Sequence, residues 1–145
     1  MRWRWWMAGT VAFMATALAA ACAKDTAEPA SAGVVLEAQA GDTVRVAVGQ
    51  SVRVGSLTVA FRGIGEDSRC PIDVVCVWAG SAEALLDLSL SGATPTRVHL
   101  HTFREPGTAT HGAYRVRLLH VSPAPLADQT ITPSSYVVYL EISLH

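Results

Sequence analysis

The sequence predicts a small all-β domain, an antiparallel β-sandwich or a barrel-like relative of it with seven to eight strands. Three observations support this prediction: short runs in which apolar and polar residues alternate, turn-forming residues between the runs, and no convincing helical periodicity. A chain of 145 residues is long enough for one domain with its own core. We therefore expect a single β domain over residues 34–145, preceded by an export segment.

Each predicted strand has a period of two residues, so that alternate side chains point to the same face of a sheet. The first clear runs are 44–48 and 57–61, and 34–39 is a weaker candidate before them. The later runs place these residues on the inward face: Leu86, Leu88, Leu90, Val98, Leu100, Tyr114, Val116, Leu118, Tyr136, Val138, Leu140, Ile142 and Leu144. His120 continues the period of Leu118, and we expect it to be a core histidine with hydrogen-bond partners.

The breaks between these runs consist of residues that turns favour, namely glycine, proline, serine and aspartate. They fall at Gly41-Asp42, Gly49-Gln50, Gly55-Ser56, Ser91-Gly92, Pro106-Gly107, Pro123 to Pro125, and Pro133-Ser134. Their regular spacing is typical of antiparallel sheets.

The amino terminus has the layout of a secretory signal. Arg2 and Arg4 precede an apolar stretch rich in small residues, and Cys22 follows three alanines. We interpret residues 1–21 as a lipoprotein signal peptide and Cys22 as the residue that receives the lipid. The alternatives are an uncleaved membrane anchor, or cleavage without lipid, which would leave Cys22 as an odd thiol outside the cytoplasm.

Residues 22–33, CAKDTAEPASAG, have no periodicity and little apolar bulk, which predicts a flexible tether. The N-terminal lipid would hold the domain to a membrane of the cell envelope. Similarity to bacterial lipoproteins implies the outer membrane, facing the periplasm or the exterior, because Ala23 stands where inner-membrane retention usually involves aspartate.

Charge and motifs exclude several function classes. The 11 Lys and Arg residues include Arg2 and Arg4, so the exported part has nine basic residues against 12 acidic ones. A net negative charge argues against a nucleic-acid partner, which requires a clustered basic surface. The motifs GxSxG, HExxH and GxxxxGK do not occur, and we predict no catalytic residues and no cofactor.

One segment, EDSRCPIDVVCVWAG at residues 66–80, interrupts the strand pattern. Five residues separate Cys70 from Cys76, and an exported protein meets an oxidising compartment, so we expect a disulfide. A metal or redox pair is the alternative. We expect Trp78 to begin the next strand and bury its ring, with Ala79 and Gly80 allowing close approach of the chain.

The same segment resembles a family of uncharacterised bacterial lipoproteins and secreted proteins with the signature DSRCPxxVxCVWAG. The matching residues are Asp67, Ser68, Arg69, Cys70, Pro71, Val74, Cys76, Val77, Trp78, Ala79 and Gly80. The stretches GAYRVRLLHVSPAP and SYVVYLEISL also resemble the closing strands of that family, so the resemblance covers about residues 43–144. It implies export and a β domain and supplies no reaction.

His99 and His101 lie two residues apart in RVHLHTF, so that on a strand they project from one face and are candidate zinc or copper ligands. The alternative is that Val98 and Leu100 face the core while both imidazoles face water. No cysteine or carboxylate stands beside them in the local sequence, and we predict that both histidines are surface residues without a tightly bound metal.

Three functional hypotheses follow. The first is a lipid-anchored, non-enzymatic envelope protein with a binding or structural role, whose candidate binding loop includes Asp67, Arg69, Pro71, Asp73 and Trp78. The second is a secreted protease inhibitor in which residues 71–75 enter a protease cleft, since preorganised loops lose less entropy on binding. The third is a metal-binding protein or enzyme that uses His99, His101 and Asp67.

Overall fold

The structure is a computed structural model that describes residues 34–145. The predicted signal peptide, Cys22 and the predicted tether lie outside these residues. The described part contains nine strands and one 3-10 turn at Pro133–Ser135. The strands are β1 (Val35–Ala38), β2 (Thr43–Ala47), β3 (Ser51–Val54), β4 (Leu57–Asp67), β5 (Ala82–Leu90), β6 (Thr96–His101), β7 (Thr108–His111), β8 (Tyr114–Ser122) and β9 (Val137–Leu144). Residues 34–145 include no helix long and apolar enough to cross a membrane.

The strands form two sheets, which confirms the predicted all-β sandwich. One sheet has the order β1-β3-β4-β5-β6 and the other the order β2-β9-β8-β7. Neighbouring strands are antiparallel except for β1, which runs parallel to β3. The count of nine exceeds the expected seven to eight because two short strands, β3 (SVRV) and β7 (TATH), lie outside the alternating runs identified in the sequence.

The core contains the alternating apolar residues of both sheets. On β4, Leu57, Val59 and Phe61 are fully buried, whereas Thr58 and Ala60 between them are only partly buried. The same alternation buries Leu86 and Leu88 on β5 and, in the other sheet, further residues of β2, β8 and β9. These are Val46, Val116, Leu118, Val121, Val138, Leu140 and Ile142. The predicted inward faces therefore form one core, apart from Leu144, which is exposed at the end of β9.

A bulge in β8 contradicts the prediction for His120. The pairing of β8 with β9 shifts register between Leu118 and His120. Leu118 and Val121 consequently both face the core, while Leu119 and His120 are exposed. His120 is therefore a surface residue, and its ring lies 5.7 Å from that of Tyr139.

Connections 68–81, 102–107 and 123–136 lie at one end of the sandwich, which we call the loop end. In the first sheet, β4 ends there at Asp67 and β6 ends there at His101. Backbone hydrogen bonds join the first of these connections to the third, which places the ends of both sheets together.

Candidate functional site

The connection between β4 and β5, residues 68–81, contains the cysteine motif, and we call it the disulfide loop. Cys70 and Cys76 form a disulfide with their Cα atoms 5.9 Å apart, within the usual range for such bridges. The predicted bridge is confirmed. It closes a short ring, which restricts the conformations open to the outer part of the loop.

The base of the disulfide loop extends the pairing of β4 with β5. Ser68 donates its N–H to the Ser81 carbonyl, and Cys70 donates its N–H to the Ala79 carbonyl, each at 2.9 Å. Gly80 lies between these bonds with a φ of +66°, and a Cβ there would overlap the Ser68 carbonyl oxygen. The close approach predicted at Gly80 is confirmed, because a side chain at this position has no space.

Asp67 and Arg69 form a two-pronged ion pair below the loop. The Arg69 Nε and Nη2 atoms lie 2.8 and 2.6 Å from the two Asp67 carboxylate oxygens, and the side chains are only 8% and 13% exposed. Arg69 also donates to the carbonyls of Val121 and Pro123 at 2.6 and 2.9 Å. The Tyr136 hydroxyl donates to Asp67 at 2.9 Å. The pair therefore attaches the loop base to the second sheet.

The electrostatics of this cluster match its hydrogen bonds. Burial by itself raises the pKa of Asp67, but hydrogen bonds from Arg69 and Tyr136 outweigh burial and hold that pKa below its usual value. Burial, together with the charge of Asp67, raises the pKa of Tyr136. At neutral pH the carboxylate is thus charged and the phenol protonated, which are the forms that the geometry requires.

The neighbouring β8–β9 connection holds the outer part of the disulfide loop. The Ile72 N–H donates to the Pro125 carbonyl at 3.0 Å, and an Asp73 carboxylate oxygen accepts the Ala127 N–H at 3.0 Å. Pro71 is half-buried beside them. One of the candidate binding residues, Asp73, therefore helps to fix the position of the loop.

The prediction for Trp78 is wrong. This side chain is 82% exposed and belongs to the loop, because β5 begins only at Ala82, opposite Asp67. Residues 74–78 lie beyond the last bonds between the two arms of the loop base, so the Trp78 ring has no facing sheet against which to pack.

Apolar side chains cover the outside of the disulfide loop. Val75 is fully exposed, Val77 is 89% exposed and Ile72 is 73% exposed. Ile72 also lines a groove of about 290 Å³ together with Phe103 and Leu119, which are themselves exposed. We call the set the apolar loop surface: Ile72, Val75, Val77, Trp78, Phe103 and Leu119. Exposed apolar residues grouped in this way indicate contact with another surface.

The histidine pair has a carboxylate neighbour that the local sequence did not show. Cross-strand pairing places Glu83 opposite His101, with Glu83 Oε1 at 2.9 Å from His99 Nδ1 and 3.9 Å from His101 Nε2. His99 is exposed, but the His101 side chain is only 13% exposed, which corrects the expectation that both rings face water. Asp67, the third residue of the metal-site hypothesis, accepts hydrogen bonds from Arg69 and Tyr136. Among residues 34–145, no three His, Cys, Asp or Glu side chains have a metal-binding arrangement.

We predict that the purified protein contains no stoichiometric zinc or copper, because Glu83 already hydrogen-bonds His99 and a tight site needs a further ligand. Elemental analysis of the protein measures this directly. One metal ion per chain, lost when His99 and His101 are both replaced by alanine, would contradict the prediction.

Replacing Cys70 and Cys76 together by serine should lower the free energy of unfolding by about 2 kcal/mol, because the closed ring is short. The variant should still fold, since the core lies between the sheets, and should melt roughly 10 °C earlier. Thermal unfolding with and without reductant checks this, because reductant should lower the melting temperature of the wild type only. Equal melting of variant and wild type would show that the bridge adds no stability.

The fold and the site define a class: a β-sandwich whose disulfide loop is fixed at its base and apolar at its tip. Comparison of this chain with protein-family models, curated proteins and solved structures gave no match.

Proposed function

We propose that this chain is a non-enzymatic, lipid-anchored protein of the bacterial cell envelope that acts by contact, and that it makes this contact through the apolar loop surface. The observation that supports this most directly is the contrast within the disulfide loop. Its base is held by the buried Asp67–Arg69 pair, whereas Val75 and Trp78 at its tip stand in solvent. A fixed loop loses little conformational entropy when its exposed side chains become buried against a partner.

The lipid anchor is inferred from the amino-acid sequence, and the Cys22→Ser variant tests it. This variant cannot receive the lipid, so we expect it to be lost from membrane fractions that retain the wild type. Cell fractionation followed by mass spectrometry of the N-terminal peptide measures both location and acylation. Membrane retention of the variant with its signal segment uncleaved would contradict the lipid anchor and indicate a spanning anchor instead.

The contact surface is tested by a photo-crosslinking amino acid placed at Val75 in cells. We expect an adduct from this position and none from Leu144, an exposed apolar residue at the opposite end of the sandwich. Crosslinked adducts of equal yield at both positions, or no adduct at Val75, would show that the disulfide loop is not the contact surface.

Protease inhibition is a second candidate, favoured by the full exposure of Val75 on a disulfide-closed ring. If it is correct, the protein should inhibit a serine protease with an apolar specificity pocket, and Val75→Asp should abolish that inhibition. Turnover of a chromogenic substrate measures the effect. Cleavage of the loop without inhibition would contradict this function.

A further inference from the structure

The direction of β1 shows from which end of the sandwich the chain enters the domain. β1 runs parallel to β3, and β3 runs antiparallel to β4, so the chain entering β1 comes from the loop end. Val35 is level with Ser51 and hence with Ala60 of β4. The segment that connects the domain to Cys22 therefore joins β1 on the side where the disulfide loop lies.

The length of that segment is sufficient for the loop to reach a membrane. Ala60 pairs with Asp87 and Asp67 pairs with Ala82, so the two levels are separated by five residues of β5, roughly 17 Å along the sheet. Residues 22–33 span at most about 40 Å when extended. An acylated Cys22 would thus keep the loop end within reach of the bilayer, and this proximity raises the effective concentration of even a weak contact.

The tip of the loop has the chemistry of a membrane interface. Residues 74–79, VVCVWA, contain no charged side chain. Tryptophan is enriched at the level of lipid headgroups, because its ring is apolar and its N–H is polar. Phe103 and Leu119 extend the apolar area beside the loop.

The charges around the tip indicate which lipids the surface suits. Arg69 is buried against Asp67, and the exposed Arg104 lies 3.6 Å from the exposed Glu66. Asp73 adds an exposed carboxylate. The rim is therefore mixed in sign, so that apolar contact rather than attraction to anionic lipid would drive the interaction.

We propose that the loop end lies against the bilayer in which the protein is anchored, with Val75, Val77 and Trp78 inserted among zwitterionic lipid headgroups. This inference rests on the lipid anchor of the proposed function, and it names the lipid surface as the partner of the apolar loop surface.

Trp78 provides the measurement, because the other three tryptophans, Trp3, Trp5 and Trp6, precede Cys22 and are absent from a chain cleaved there. The full acylated protein is reconstituted in phosphatidylcholine vesicles with or without brominated acyl chains. We expect a blue-shifted emission and at least twofold quenching by the brominated lipid. Unquenched emission from protein that floats with the vesicles would overturn the bilayer contact while leaving the anchor intact, whereas protein that fails to float would contradict the anchor.

Two variants make the test specific to the loop. Replacing Val75 and Val77 by aspartate should restore the emission of a solvated indole and abolish the quenching, while flotation through the anchor is unchanged. Leu144→Asp adds a charge at the opposite end of the sandwich. The brominated lipid should quench the Trp78 emission of this variant as strongly as that of the wild type. Quenching that persists in the double variant would overturn the proposal, as would shielding of Trp78 that depends on protein concentration in the absence of lipid and so reports self-association.

Discussion

Arg69→Met should lower the free energy of unfolding by about 3 kcal/mol, because removing one partner of a buried ion pair leaves the other charge uncompensated. The Asp67 carboxylate would lose two hydrogen bonds, and the carbonyls of Val121 and Pro123 would lose their donors. Methionine retains most of the apolar volume, so the effect should come from lost polar contacts. Urea unfolding at pH 7 measures it.

Arg53→Met is the matched control for this change. Arg53 lies 3.7 Å from Glu37, and both side chains are more than half exposed. Exposed pairs of this kind contribute roughly 0–1 kcal/mol. Equal losses in the two variants would mean that the Asp67–Arg69 pair is no more important to stability than a surface pair.

The pH dependence gives a second measure of the same cluster. Because the pKa of Asp67 is lowered by folding, its contribution is fully present above the unfolded value, near 3.9, and is lost as the pH falls through the folded pKa. The difference between wild type and Arg69→Met should therefore shrink in acid. The pKa of Tyr136 is raised, so its contribution should be lost instead as the pH rises above about 10.

The sequence was sufficient for the parts of the fold that depend on local periodicity. Alternation correctly identified the buried faces of β4 and β5, since a two-residue period is a property of the strand itself. The disulfide followed from the spacing of Cys70 and Cys76 and the expected compartment.

The errors arose where pairing between distant residues decides the outcome. His120 is exposed because β8 shifts its register against β9, and nothing in the β8 sequence marks that bulge. Glu83 meets His99 only through the pairing of β5 with β6. Trp78 is exposed because β5 starts at Ala82, whereas a large aromatic ring is ordinarily evidence of burial.

The hydrogen-bond partners of the loop base could not be predicted from the sequence either. Tyr136 lies 69 residues from Asp67 in the chain, and Arg69 finds its carbonyl partners 52 and 54 residues away. Ile72, Phe103 and Leu119 line one groove although they come from the disulfide loop, the β6–β7 connection and β8. Such contacts are set by tertiary packing, and a single sequence contains no local signal for them.

Gly80→Ala should lower the free energy of unfolding by roughly 3 kcal/mol, the sum of left-handed backbone strain and overpacking. The added methyl group would overlap the Ser68 carbonyl oxygen, and Ser68 is held in place because its N–H and its hydroxyl both donate to the Ser81 carbonyl. The loop base would have to open for alanine to fit. Thermal unfolding and hydrogen exchange of the Cys70 amide measure the two consequences.

Gly92→Ala separates the two causes. Gly92 also has a positive φ, +75°, but a Cβ there would meet no atom within 4 Å. Its replacement should therefore cost only the backbone term, about 1 kcal/mol. A loss at Gly80 well above that at Gly92, with faster exchange at Cys70 only in the Gly80 variant, would establish that close packing against Ser68 fixes the disulfide loop. Equal losses at both glycines would show that the loop base relaxes readily, and a fixed base would then no longer explain how apolar side chains are held in solvent.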